Sequence, residues 1–174
     1  MLRIGTMIHY FQHKTSEEIK KAASENNLIL IPVGQVEEHG PHLPVDTDCI
    51  IATSVTSHVA EALTDEIPTL VMPTIWTAYS VKQVTQWPGV ITFQEPEAMI
   101  TMVHDILASL VQNGFKKMVL INAHGNNPAI LELACRKIGS KYNVFPAVTN
   151  VFGMSTSAGK KVRKSPMGGC GGHA

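Results

Sequence analysis

The chain has 174 residues, 44% hydrophobic and 16% charged, with 14 basic and 14 acidic side chains and a formal net charge of zero. That length suits one globular domain with a sizeable core, and the composition excludes a disordered chain. The charge balance lacks the basic footprint of a nucleic-acid binder; the short run "KKVRK" at 160–164 reads as a solvated loop.

No stretch of about 18 apolar residues occurs, so no membrane span is expected. The opening "MLRIGTMIHYFQHK" is too polar for a signal peptide. Cys49, Cys135 and Cys170 are widely spaced and include no CxxC pair, which speaks against a zinc ribbon or a redox motif. Free thiols without an export signal point to the cytoplasm.

In chain order, "SEEIKKAASENN" (16–27) is predicted helical, capped by Ser16 or Thr15, with Glu17 and Glu18 at its positive end. "LILIPVG" (28–34) has the pattern of a strand buried on both faces. "DCIIATSVTSHVAEAL" (48–63) is a second helix and "TLVMPTI" (69–75) a second buried strand. "EPEAMITMVHDILASLVQNG" (95–114) is a long helix stopped by Asn113-Gly114. "KKMVLINAHG" (116–125) is a third strand running into a glycine turn. "NPAILELACRKIGSKY" (127–142) is a helix with proline in its first turn, and "VFPAVTNVF" (144–152) is a fourth strand. The tail, 155–174, is rich in Gly, Ser and Lys and reads as loop. Strands and helices alternate, which predicts an α/β protein: a mostly parallel central sheet covered by helices on both faces.

In such sheets ligands bind beyond the carboxyl ends of the strands. The first strand runs directly into "QVEEHGPHLPVDTD" and the third into "AHGNN", so two polar clusters leave the same sheet edge. In extended chain, Glu37 and His39 project to one side and Glu38 to the other. Gly40-Pro41 bends the path, Asp48 stands where the next helix begins, and His124 arrives from the third strand. Two carboxylates and two imidazoles form an N/O set suited to Zn²⁺, Mn²⁺ or Fe²⁺. Spacing alone leaves a second reading open, an ordinary polar loop with an aspartate N-cap. Asp46 and Glu38 read as supporting or surface groups; His9, His13, His58 and His104 read as surface or core residues. No HExxH, P-loop or GxSxG is present.

"PVGQVEEHGPHLPVDTD" (32–48) resembles the first signature of the creatininase family, creatinine amidohydrolase and its relatives, whose pattern is roughly P-V-G-x-x-E-x-H-G-P-H-L-P-x-x-T-D. "INAHGNN" (121–127) is similar to the family's N-G-H-G-G-N, "QWPGVIT" (86–92) to its F-P-G-T-I-[ST], and the terminal "GGHA" to the start of its H-A-G segment. The blocks occur in family order and cover nearly the whole chain. The resemblance implies a three-layer α/β/α fold, often assembled as a hexamer. It also implies a site for two divalent metal ions, Zn or Mn with Fe as a further option, and hydrolysis of C–N bonds in small cyclic or linear amides. Position by position, it makes Glu37, His39, Asp48 and His124 metal ligands, with Asp48 bridging. It makes His173 the catalytic proton shuttle and Ser80, in "TAYSVKQ", a substrate contact.

The pattern also departs from the family. Asn126 stands where creatininase has a further glutamate ligand, and Lys82-Gln83 replace the E-H of the middle motif. Residues 1–174 are expected to form one creatininase-like domain without the family's C-terminal helix and strand. On that expectation, residues 155–174 are held by another chain, a second copy in a homo-oligomer or a complementing C-terminal polypeptide bringing a carboxylate near Asn126. The alternatives to an active amidohydrolase are a metal-binding subunit that needs a second chain for activity, and a structural α/β module without metal.

Overall fold

The computed structural model describes residues 10–63, 65–81, 85–154 and 161. The central sheet has four parallel strands in the order β2-β1-β5-β6, where β1 is Leu28–Val33, β2 Thr69–Val71, β5 Lys117–Asn122 and β6 Ala147–Asn150. A separate parallel pair, β3 (Ala78–Tyr79) and β4 (Thr92–Phe93), lies between β2 and β5 in the chain. The helices are α1 (Ser16–Ser24), α2 (Thr47–Leu63), α3 (Pro96–Gln112), α4 (Pro128–Tyr142) and the single turn α5 (Val151–Met154).

The strands alternate strictly between two apolar layers, as a period of two requires. Ile29, Ile31 and Val33 of β1, Leu70 of β2, and Met118 and Leu120 of β5 join the core with α1, α3 and α4. Leu30, Val71 and Ile121 face the other way, onto Ala60, Val55 and Val59 of α2. The expected three-layer arrangement is therefore present, and each fully buried Leu or Ile in it contributes about 1.5–3 kcal/mol.

Several boundaries differ from the sequence expectation. The first helix ends at Ser24, because Asn26 takes up a left-handed conformation (φ 58°). The second strand ends at Val71. Pro73 has no N–H to give a ladder, and the segment rejoins the sheet only at an isolated bridge between Val33 and Ile75. The fourth strand stops at Asn150, and Val151 and Phe152 turn into α5. The tail 155–174 lies outside the described residues except for Lys161.

Thr15 is the cap of α1 and forms a reciprocal capping box with Glu18. The Glu18 carboxylate accepts from the Thr15 amide at 2.8 Å and from its hydroxyl at 2.9 Å. These bonds, with Lys14 alongside, lower its pKa to about 2. Because the folded-state pKa lies below the ordinary value of 4.5, this stabilisation is present above that value and is lost as pH falls toward about 2. Thr15→Ala removes the hydroxyl and keeps the backbone amide, so it is expected to move the Glu18 titration only part of the way up toward its ordinary value, read by NMR of the side-chain carboxyl. An unchanged midpoint would show that the Thr15 hydroxyl adds little to what the amide holds.

Candidate metal centre

β1 and β5 are adjacent and in register, Val33 opposite Asn122, so the chain leaves both strands at one edge. Past β1, the Glu37 amide donates to the Val45 carbonyl, closing the loop that leads to α2. Gly40 turns this loop in the left-handed region (φ 75°), where a side chain would be strained, and its amide donates to the Glu38 carboxylate. α2 starts at Thr47, which places Asp48 in its first turn.

Four side chains expected from the sequence converge here. The His124 Nδ1 lies 2.9 Å from Asp48 Oδ2 and 3.1 Å from Glu37 Oε1. His39 Nε2 lies 3.2 Å from the other Asp48 oxygen, Oδ1, and its Nδ1 is 3.1 Å from the Glu37 carbonyl. One ligand atom each from Glu37, His39 and Asp48 falls within a 4.8 Å span. Glu37, Asp48 and His124 are buried; His39 is partly exposed.

The electrostatics follow from burial and pairing. Burial pushes the Asp48 carboxyl up, but hydrogen bonds with His124 and then His39 outweigh it and hold its pKa below the ordinary value. Burial lowers His124, yet Asp48 and Glu37 together bring it up to about 9. The bond to Asp48 raises His39 against its own partial burial. Two carboxylates taken out of water thus demand positive charge between them. Among the described residues His124 Nε2 is buried with no hydrogen-bond partner, so their atoms alone do not close the polar needs of this cluster. The donor set and its burial fit a divalent cation.

The other residues singled out from the sequence divide. Asp46 and Asn126 are exposed. Ser80 is brought to the same centre, buried, with its hydroxyl 3.3 Å from Glu37 Oε2. His173, His9 and the Lys82-Gln83 pair lie outside the described residues.

Asn122, at the end of β5, was not singled out by sequence reasoning. Its Oδ1 accepts from the His124 amide (3.2 Å) and from Asn127 Nδ2 (3.0 Å). Its Nδ2 donates to the His124 carbonyl and to Asn150 Oδ1, both at 2.8 Å. All four hydrogen-bonding positions of the amide are used, and the turn carrying His124 is clasped on both sides. Asn122→Leu would leave several buried polar groups unpaired and is expected to cost about 3 kcal/mol of stability, measured by urea unfolding. A loss below about 0.5 kcal/mol would show that the clasp contributes little.

Among known proteins, the chain is 29% identical over 142 residues to 3-dehydro-scyllo-inosose hydrolase of Thermotoga maritima, covering 82% of this chain and 44% of that protein. It is 29% identical over 126 residues to creatinine amidohydrolase of Pseudomonas putida, covering 68% of this chain and 46% of that protein. The chain therefore spans less than half the length of these relatives. The solved structure named "Creatininase Mn" superposes with a TM-score of 0.79 at 22% identity, covering 93% of this chain and 66% of that one. The family model "Creatininase: Creatinine amidohydrolase" matches residues 12–174, and the chain belongs to the creatininase family.

Proposed function

We propose that this chain binds two divalent metal ions, Zn²⁺ or Mn²⁺, and hydrolyses a C–N bond of a small cyclic or linear amide. The observation that carries this reading is the division of Asp48: one oxygen faces His39 and the other faces His124, beside Glu37. Glu37, His39, Asp48 and His124 would hold the ions, with Asp48 offering an oxygen toward each histidine. When bound, divalent cations would supply Lewis acidity, which lowers the pKa of water from about 15.7 toward roughly 7 and polarises a carbonyl oxygen.

The chain's own residues do the rest. Glu37 and Asp48 supply the negative charge that holds cations in a buried place. The Asn122 clasp keeps His124 on their line. His173 is proposed as the donor of the proton that the leaving nitrogen requires as water's oxygen joins the carbonyl carbon. The family match, which runs through residue 174, supports that assignment.

Exposed Ile50, Trp76, Trp87 and Ile91 support assembly into a homo-oligomer, and the free buried thiols Cys49 and Cys135 support a reducing compartment such as the cytoplasm. No helix among the described residues is long and apolar enough to cross a membrane. The test is elemental analysis of the purified chain, then a screen of cyclic amides, ureides and formamides with Zn²⁺ or Mn²⁺ added. Turnover that chelation abolishes and added metal restores is expected. A chain that takes up neither ion would overturn the reading.

A further inference from the structure

Glu37 is held from behind by a buried polar chain. Gln35, 0% exposed, accepts the Ala78 amide on Oε1 at 2.5 Å. Its Nε2 donates to the Ile91 carbonyl at 3.1 Å and to the Ser80 hydroxyl at 3.3 Å. The orientation of this carboxamide is determined by its surroundings. Flipping it would set a donor against the Ala78 N–H and an acceptor against the Ile91 C=O. Ser80 Oγ must therefore accept from Gln35, and its proton is left for Glu37 Oε2, 3.3 Å away. Ser80 is 3% exposed, and its own amide is tied to Thr92 Oγ1 at 2.8 Å. Its hydroxyl thus faces a carboxylate, with little surface left for a bound molecule.

We propose that Ser80, oriented by Gln35, is a positioning residue that grips Glu37 Oε2 and so directs Oε1 into the cluster with Asp48 and His124. The inference rests on the reading of Glu37 as a metal ligand. It assigns Ser80 a different task from the substrate contact that family resemblance implies. Hydrogen bonds to a ligating carboxylate restrict its rotation, and losing such a partner lowers metal affinity by roughly 10- to 100-fold.

The test is calorimetric titration of the full chain with Zn²⁺ alone, for the wild type, Ser80→Ala and Ser80→Thr, with melting curves of the metal-free proteins. Ser80→Ala is expected to bind Zn²⁺ about 10- to 100-fold more weakly while melting close to wild type. Ser80→Thr, which keeps the hydroxyl, is expected to recover most of the affinity. Wild-type affinity in Ser80→Ala would overturn the proposal, as would a Ser80→Ala chain that fails to fold, since the role would then be structural. A wild type that binds no Zn²⁺ would sink the metal reading, and this inference with it. Unchanged Zn²⁺ affinity with a raised KM for an amide found in the screen would return Ser80 to substrate contact.

Discussion

Asp48→Ala is expected to leave the chain unable to retain Zn²⁺ or Mn²⁺, with affinity reduced by more than about 100-fold, while Glu38→Ala keeps its metal. Both residues are acidic and both belong to the same loop and helix start, so a general electrostatic effect would treat them alike. Position separates them. Asp48 is buried, at the start of α2, and its two oxygens meet His39 at 3.2 Å and His124 at 2.9 Å. The Glu38 carboxylate accepts from the Gly40 amide, and the group of clustered ligand atoms is formed by Glu37, His39 and Asp48. Asp48→Asn serves as a second variant, keeping the side-chain shape and removing the charge. It too is expected to lose metal, because a neutral amide neither offsets a cation nor bridges two of them. Native mass spectrometry of the folded fraction gives metal content directly. Equal content in Asp48→Ala and Glu38→Ala would refute the bridging assignment.

Gly34→Ala is expected to destabilise the fold by about 3 kcal/mol and to weaken metal binding together with it. Gly34 follows β1 directly, where the backbone of α2 passes close by. A Cβ there would lie 2.7 Å from both the Cα and the backbone nitrogen of Cys49, and 2.8 Å from its Sγ. Two of these three contacts are with helix backbone, which no side-chain rotation relieves, so α2 itself must shift. The helix carries Asp48, one residue before Cys49. Glu37 and His124 follow β1 and β5 rather than α2, so the shift draws Asp48 away from them. Cys49→Ala added to Gly34→Ala removes only the sulfur contact and is expected to rescue little. Urea denaturation and Zn²⁺ titration of the single and double variants test both halves. Wild-type stability and affinity in Gly34→Ala would show that α2 has room to spare.

Local pattern carried most of the layout. The apolar runs of β1 and β5 are buried on both faces, and both end in polar segments at one sheet edge, as their sequences imply. Thr15, Glu17 and Glu18 marked the start of α1, and Asp48 the start of α2. Glu37, His39, Asp48 and His124 follow two strand ends that share a sheet edge, which suggested that they meet; spacing left their role open, and the family resemblance supplied the reading as metal ligands.

The tertiary structure alone decided which polar groups are buried and what they hold. β3 and β4 have two residues each, too short to show any periodicity, yet they deliver Ser80 and the Ile91 carbonyl to Gln35. Gln35 looks like an ordinary loop residue in "GQVEEHG", and its partners lie 43, 45 and 56 residues away. Asn122 reads as the polar end of a strand, and its clasp on His124 depends on Asn150 arriving from β6. The alternation of elements and the chemistry offered at the sheet edge are written in spacings of a few residues and can be read along the chain. How that chemistry is held cannot, because a buried hydrogen bond is specified by the meeting of distant segments, and neither segment carries a local signal for it.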